Sequence, residues 1–202
     1  MPDPRAPIAA ASVPGESVAA SARDAILVLL AHPYPGRSRA CDALVRALAP
    51  LARTEVRSLY DRYPDFDVDP RAEQAALEAA QLVVWLAPMH WYGVPGLLKH
   101  WFDVVLVKGW AYGEGGTALA GKDCLWAVTT GGDEAAFSAQ GRHGLPFEAF
   151  VPPLERTARF CGMGWLEPHV LHGAHRVDDE ALVRSGEALR ARLLAWRQGR
   201  GA

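Results

Sequence analysis

Short strand-like segments alternate with segments of helical pattern along most of the chain, and this alternation constrains the fold more than any other feature. The runs AILVLLA, LVVWLA and CLWAVTT are continuously apolar, which is typical of strands buried on both faces. The predicted strands cover residues 25–31, 54–59, 82–87, 124–130 and 165–171. The predicted helices cover residues 38–52, 70–80, 96–106, 152–163 and 178–198.

Strands that alternate with helices at this spacing predict an α/β fold with a parallel sheet and helices on both faces. The pattern fits a flavodoxin-like, doubly wound five-stranded sheet with strand order 2-1-3-4-5. Ligands of such sheets bind beyond the carboxyl ends of the strands, where the strand order reverses. We therefore expect the loops after the first, third and fourth strands to form the functional site.

The loop after the first strand, HPYPGRS (32–38), ends in Ser38, which is a plausible N-cap for the next helix. A helix N-terminus with free amide groups and a cap hydroxyl can bind an anion such as one phosphate. A glycine-rich pyrophosphate loop is missing from this segment. The alternative is an ordinary capped helix after a proline-rich turn.

The next two loops carry aromatic residues and glycines. PMHWYGVPG (88–96) places Trp91 and Tyr92 between prolines and glycines, which suits a planar ligand, although the rings could equally pack the loop. In TTGGDEAAFSAQGRHG (129–144), Gly131 and Gly132 allow a close approach of the backbone to a ligand, and His143 follows. The alternative for this segment is a mobile glycine-rich loop.

Two further patterns are rejected as functional motifs. GTALAGKD (116–123) is close to a phosphate-binding P-loop, but Asp123 replaces the required hydroxyl residue and a strand follows instead of a helix. His169, His172 and His175 lie on a strand end and turn, without a carboxylate or cysteine at ligand spacing. We expect these histidines to be surface or structural residues.

Composition limits the classes of function and location. A chain of 202 residues, half of them apolar, fits one domain, predicted over residues 23–202. The net charge of −2 predicts neither nucleic-acid binding nor attraction to an anionic membrane. Cys41, Cys124 and Cys161 are odd in number and widely spaced, which favours a reducing, cytoplasmic compartment. Residues 1–22 are rich in Pro, Ala and Ser and are predicted to be a disordered leader.

Several segments together resemble a known family. The sequence is similar to the flavodoxin-like NAD(P)H:quinone oxidoreductases and, more narrowly, to the ancillary flavoproteins of glutathione-regulated potassium efflux systems. The resemblance runs from about residue 25 to residue 198. The matching segments are AHPYP, EVRSLYDRYPDFDVD, AEQAALEAAQLVVW, PMHWY, GWAYGEGGTALAGK, LWAVTTGG and CGMGWLEP.

The resemblance implies FMN as cofactor, NADH or NADPH as electron donor, a quinone as acceptor, and a homodimer with its sites at the subunit interface. It assigns His143 to catalysis, as the match of a histidine in the mammalian-type quinone reductases. The cofactor-binding residues that it implies are His32, Ser38, Arg39, Ala40, Cys41, Pro88, Met89, His90, Trp91, Tyr92, Thr129, Thr130, Gly131, Gly132 and Phe137.

Three departures from the family pattern affect this site. Cys41 stands where the family usually has Asn, and His90 stands where Gln is usual. Phe137 stands where the mammalian-type enzymes carry a catalytic Tyr paired with the histidine. A phenyl ring keeps the stacking but cannot form the hydrogen bond, so His143 would act alone or with water.

The resemblance supports two functions. The first is two-electron, ping-pong hydride transfer from NAD(P)H through FMN to a quinone. The second is regulation of a potassium–proton efflux antiporter, with the protein at the inner face of the cell membrane; both can hold at once. A third possibility is a one-electron carrier. Such carriers usually have a docking face of one charge sign, and the near-neutral charge of this chain, −2, disfavours that function.

Overall fold

The computed structural model describes residues 24–34 and 36–200, so the predicted leader over residues 1–22 lies outside the described residues. The sheet that it contains has five parallel strands in the order β2-β1-β3-β4-β5, as predicted. The strands are β1 (Ile26–Leu30), β2 (Thr54–Ser58), β3 (Leu82–Pro88), β4 (Asp123–Thr129) and β5 (Gly164–Leu171).

The helices connect these strands in the predicted order. They are α1 (Arg39–Leu48), α2 (Leu59–Arg62), α3 (Pro70–Ala79), α4 (Gly96–Val105), α5 (Pro152–Phe160) and α6 (Asp179–Arg200), with 3₁₀ turns at Glu134–Ala136 and Phe147–Phe150. The single turn α2 was not predicted, because four residues are too few to show a helical period.

Two helices end three or four residues earlier than the sequence pattern predicts. Helix α1 ends at Leu48 rather than at residue 52: Ala49 still has helical backbone angles, but Pro50 has no amide hydrogen with which to continue the helix. Helix α5 ends at Phe160 rather than at residue 163. There Gly162, with φ 80°, and Met163 donate to the carbonyls of Arg159 and Ala158 in a Schellman motif.

The two faces of the sheet build two apolar cores. On one face, side chains such as Leu29, Trp85 and Trp126 pack against α3, α4 and α5. On the other face, alternate residues of the same strands pack against α1 and α6, among them Val28 and Val84. Because both faces are covered, the central strands are continuously apolar, as the sequence indicates.

The edge strand β5 carries a bulge, where its register with β4 shifts between Leu125 and Ala127. Pro168, which has no amide hydrogen, lies within this irregular stretch. Arg192 of α6 donates to the carbonyls of Glu167 and Pro168, so both carbonyls at the bulge have hydrogen-bond partners. None of the helices in the described part of the chain is long and apolar enough to cross a membrane.

Candidate functional site

A cavity of about 460 Å³ lies at the carboxyl edge of the sheet. It is bounded by the loops after β1, β3 and β4, as predicted, and also by the loop after β5. The predicted site residues that line it are His32, Ser38, Arg39, Ala40, Pro88, Met89, His90, Thr129, Thr130 and Gly131. The sequence prediction missed four further residues that line it: Tyr34, Arg37, Ala174 and His175.

The N-terminus of α1 forms one wall of this cavity. Ser38 is the predicted N-cap, and its Oγ accepts a hydrogen bond of 3.1 Å from the amide of Cys41. Arg37 and Arg39 lie in the same wall, and the exposed guanidinium of Arg39 also pairs with Asp179 at 2.6 Å. A helix N-terminus flanked by two arginines is suited to an anion with one phosphate group.

The thiol of Cys41 is buried beneath this wall. Burial raises the pKa of the thiol, although hydrogen bonds with Ser38 and Thr129 oppose that rise. The side chain that departs from the usual Asn therefore stays neutral and joins the start of α1 to the end of β4. All three cysteines are free and buried.

The opposite wall is the loop after β4, whose carbonyl groups are tied to the loop after β5. The amides of Gly173 and Ala174 donate to the carbonyls of Gly132 and Thr130, at 2.8 Å and 2.9 Å. In the described part of the chain, the amides of Gly131 and Gly132 donate to no other protein group. These two amides remain available to a ligand.

Three histidines converge on the cavity from three loops: His32, His90 and His175. Burial lowers the pKa of His32; the bond with the Tyr34 backbone opposes this, and the neighbouring imidazoles of His90 and His175 lower it further. Burial also lowers the pKa of His90. The ring of His175 lies against Gly131, since a Cβ atom placed there would be 3.5 Å from His175 Cδ2.

A second, more apolar cavity of about 850 Å³ adjoins the first and shares His90 with it. Its walls include Trp91, Tyr92, Phe150 and Phe160. The ring of Tyr92 stacks on that of Phe150 at a centroid distance of 5.2 Å. An apolar space lined by aromatic rings, beside an anion site, is suited to a planar ligand that carries a phosphate.

The turn between the two cavities is strained. His90 and Gly93 exchange two backbone hydrogen bonds, and the central residues Trp91 and Tyr92 have φ angles of 49° and 65°. This is the pattern of a type I′ turn, whose central positions favour Asn and Gly. Two aromatic residues in left-handed backbone mark this turn as a functional feature, since strain of this kind clusters at binding sites.

Predicted residues of the long loop form an aromatic cluster beside the two glycines. The rings of Phe137 and His143 lie 4.3 Å apart, and those of Tyr92 and His143 lie 5.7 Å apart. His143 Nε2 would be 2.9 Å from a Cβ atom placed on Gly132. The structure thus brings His143 next to the free amides, although eleven residues separate it from Gly132 in the sequence.

The three histidines at 169, 172 and 175 require a correction. His169 is structural, as expected, because it is buried and hydrogen-bonded to Ser185 Oγ at 2.9 Å. His172 and His175 instead belong to the candidate site: His172 Nδ1 lies 2.9 Å from Thr130 Oγ1, and His175 lines the cavity. The helical and metal-ligand spacings considered for these histidines could not predict that they lie at the site. The topology could have predicted it, since β5 ends at the same sheet edge as the other strands.

Two further patterns in the described residues carry no site. Lys122 of the rejected P-loop segment is buried and donates to the carbonyls of Glu78 and Ala80 at the end of α3. No group of His, Cys, Asp and Glu side chains in this part of the chain could hold a metal ion.

Comparison with known proteins agrees with this geometry. Residues 24–193 match the protein family described by its flavodoxin-like fold. The chain belongs to the flavodoxin-like family. A curated member, the glutathione-regulated potassium-efflux system ancillary protein KefF of Salmonella typhimurium, is 49% identical over 86% of this chain and 97% of that protein. The predicted resemblance to such ancillary proteins is therefore confirmed.

The chain is also similar to solved structures of an FMN complex and of a quinone reductase. General stress protein 14 of Treponema denticola, in complex with FMN, is 33% identical with a TM-score of 0.75, covering 87% of this chain and 99% of that chain. An NADPH-quinone reductase from P. pentosaceus is 25% identical with a TM-score of 0.76, covering 84% and 97%.

A further flavodoxin-like neighbour bears the name of another activity. It is described as a thermophilic tryptophan halogenase from Streptomycin violaceusniger and is 35% identical with a TM-score of 0.80, covering 83% of this chain and 98% of that chain. One fold can carry several chemistries, so the activity of this chain has to be argued from its site.

Proposed function

We propose that this protein is an FMN-dependent NAD(P)H:quinone oxidoreductase. The observation that carries the proposal is a single cavity with an anion-binding wall at the start of α1 and, opposite it, Gly131, whose backbone amide is free, as is that of the next residue, Gly132. The FMN-bound and quinone-reductase neighbours support it.

The residues present fit FMN. Its phosphate would contact Ser38, Arg37 and the first amides of α1. This wall has room for one phosphate group, as FMN requires. Its ring would lie along the 129–132 loop, where glycines let the backbone approach closely. When bound, FMN would supply the hydride chemistry that connects a nicotinamide to a quinone.

The backbone amides and side chains around the proposed ring position have separate roles in this proposal. The amides of Gly131 and Gly132 stabilise negative charge on the edge of a bound ring. His143 holds a proton beside that edge and donates it toward a quinone oxygen. Tyr92 and Phe150 exclude water from the apolar cavity, while Phe137 orients His143 by packing alone.

A single apolar cavity beside the ring implies that donor and acceptor bind in turn. Nicotinamide and quinone are both planar, and both have to lie against the same face to react. The proposed reaction is therefore ping-pong: NADH or NADPH would give up its hydride and leave as NAD⁺ or NADP⁺ before the quinone enters the cavity of about 850 Å³.

A homodimer belongs to the same proposal. Trp91 is 95% exposed and Phe160 is 69% exposed at the rim of the apolar cavity. Large aromatic residues are enriched at protein interfaces and among the residues that contribute most to binding. A second copy of the chain seated on this rim would cover both rings and close the cavity.

A second candidate function is regulation of a potassium efflux system. The observation that favours it is the 49% identity to an ancillary protein of such a system over 97% of its length. In this role the protein would associate with an efflux antiporter at the cytoplasmic face of the membrane. A bound flavin would report the redox state, so the two functions are compatible.

The absorbance spectrum of the purified protein tests the proposal. We expect a flavin spectrum and one FMN per chain by mass analysis of the released cofactor. NADH or NADPH should bleach the spectrum anaerobically, and a quinone should restore it. FAD in place of FMN, or no flavin after reconstitution, would contradict the cofactor assignment. A flavin that NAD(P)H reduces but no quinone reoxidises would favour the regulatory function.

A further inference from the structure

We propose that His172, at the end of β5, is a positioning residue for the candidate site, holding the 129–132 loop and the ring of His143 in place. The proposal rests on the function proposed above, because it concerns the same site. His172 is outside the set of residues that sequence reasoning assigned to the site.

The direction of one hydrogen bond carries the first step. Thr130 Oγ1 lies 2.8 Å from the carbonyl oxygen of Gly132 and 2.9 Å from His172 Nδ1. A carbonyl can only accept, so the single hydroxyl hydrogen of Thr130 is donated to Gly132. The hydroxyl must then accept from His172, which fixes the imidazole as the tautomer with hydrogen on Nδ1.

The second step concerns what this chain of bonds holds. The Gly132 carbonyl accepts from both the Thr130 hydroxyl and the Gly173 amide. The Thr130 carbonyl accepts in turn from the Ala174 amide, so the carbonyls of residues 130 and 132 are both held by the loop after β5. His172 is the side chain that ties the Thr130 hydroxyl in this orientation, and it does so from the loop after β5.

The third step links His172 to His143 through an aromatic stack. The ring of Phe137 lies between two imidazoles, 5.1 Å from His172 and 4.3 Å from His143. Phe147 packs edge-on against both of these rings, 5.7 Å from His172 and 5.9 Å from Phe137. Since Phe137 cannot form a hydrogen bond, the position of His143 over Gly132 depends on this packing, with His172 as its inner support.

The environment of His172 is compatible with this role. Burial lowers its pKa, while Glu134, Glu148 and Asp133 oppose that change. Nδ1 carries its hydrogen in both the neutral and the protonated ring, so the bond to Thr130 persists across that titration. The role is therefore one of geometry and does not depend on the protonation state of the ring.

Variants can separate the hydrogen bond from the packing. His172→Phe keeps a ring but removes the donor, and Thr130→Val removes the acceptor at nearly constant shape. His172→Asn restores a donor near the position of Nδ1. Ser185→Ala is the matched control, because it removes the partner of another histidine of β5, His169, away from the cavity.

We expect His172→Phe and Thr130→Val each to raise the FMN dissociation constant about tenfold, with no further rise in the double variant. His172→Asn should recover most of the affinity, and Ser185→Ala should leave it unchanged. The FMN midpoint potential should shift in the first two variants only. Wild-type affinity and potential in His172→Phe, or independent effects in the double variant, would overturn the proposal.

Hydrogen–deuterium exchange of the apoprotein tests the positioning role of His172 independently of the proposed function. The hydrogen-bonded amides of Thr130, Gly173 and Ala174 should exchange faster in His172→Phe than in the wild type, and at the wild-type rate in Ser185→Ala. A protein that binds no flavin but shows this exchange pattern would refute the proposed function alone. Unchanged exchange in His172→Phe would refute the positioning role, whatever the protein binds.

Discussion

Ser38 combines a structural and a binding task in one hydroxyl. It caps α1 through the Cys41 amide and lines the anion wall of the cavity. We expect Ser38→Ala to cost about 1 kcal/mol of folding stability from the lost cap. The loss of FMN binding should be larger, about 1.5–3 kcal/mol, if the hydroxyl also donates to a charged phosphate.

The control for this prediction is Asp69→Ala. Asp69 caps α3 through the amides of Arg71 and Ala72, outside the cavity. Denaturant unfolding and FMN titration of both variants should show similar losses of stability, with loss of affinity in Ser38→Ala alone. Equal FMN affinity in Ser38→Ala and wild type would place the phosphate elsewhere.

His143 is the residue to which the proposed mechanism assigns a proton. We expect His143→Ala to slow reoxidation by a quinone about 10–100-fold, less than the usual loss for a general acid, because water can supply the proton later. Reduction by NAD(P)H and FMN affinity should be unchanged. Stopped-flow measurement of the two half-reactions checks this.

Phe137→Tyr is the companion variant, since it adds a hydroxyl to the ring that packs on His143. Its reoxidation rate should equal or slightly exceed that of the wild type. If both half-reactions of His143→Ala proceed at wild-type rates, His143 donates no proton and the 129–144 loop only covers the site.

His169 couples stability to pH. Burial, with a smaller contribution from Arg192, lowers its pKa from 6.5 to about 4 in the folded protein. The unfolded chain therefore takes up the proton first as the pH falls. The contribution of His169 to the free energy of unfolding is fully present above pH 6.5. It is lost as the pH falls to about 4, and the total loss is about 3 kcal/mol. Urea unfolding at several pH values measures this loss, and it should shrink in His169→Gln.

At the scale of elements, Glu73 of α3 joins four parts of the fold. Its carboxylate is fully buried and accepts from Arg57 of β2 at 2.8 Å, from the Tyr63 hydroxyl after α2 at 2.8 Å and from Trp101 Nε1 of α4 at 3.0 Å. Helix α4 begins directly after the 88–95 loop. This carboxylate therefore fixes the helix that carries one side of the apolar cavity.

We expect Glu73→Gln to destabilise the protein by about 3 kcal/mol, because the half-buried Arg57 guanidinium then keeps only the exposed carboxylate of Glu55. Glu78→Gln is the control: Glu78 also accepts from an indole, that of Trp110, but at the surface. Its loss should stay below about 1 kcal/mol. Thermal or urea unfolding compares the two, and equal losses would show that burial of Glu73 contributes little.

The same carboxylate shows the limit of helix prediction. The segment 70–80 is predicted correctly as a helix from its starting proline and its helix formers. Nothing in that pattern distinguishes Glu73 from the exposed acidic residues beside it. Its partners lie 10, 16 and 28 residues away, so only the packing of the elements reveals that it is buried.

At the scale of the whole molecule, the exposed rim of Trp91 and Phe160 predicts self-association. We expect Trp91→Asp to convert a dimer into monomers in sedimentation velocity, since it places a charge at the centre of the proposed interface. Leu194→Asp is the control, because Leu194 is 42% exposed on α6, outside this rim. A wild-type protein that sediments as a monomer at high concentration would contradict the dimer.

The sequence by itself determined the strands, their parallel order, the N-cap at Ser38 and three of the four loops that form the site. These features follow from local patterns: apolar runs, helical spacing and turn residues act between near neighbours in the chain. Tertiary structure alone decided that His172 bonds to Thr130, that Trp91 and Tyr92 form a strained turn, and that His143 lies over Gly132. Each of these depends on contacts between distant segments, whose geometry is set only when the helices pack on the sheet.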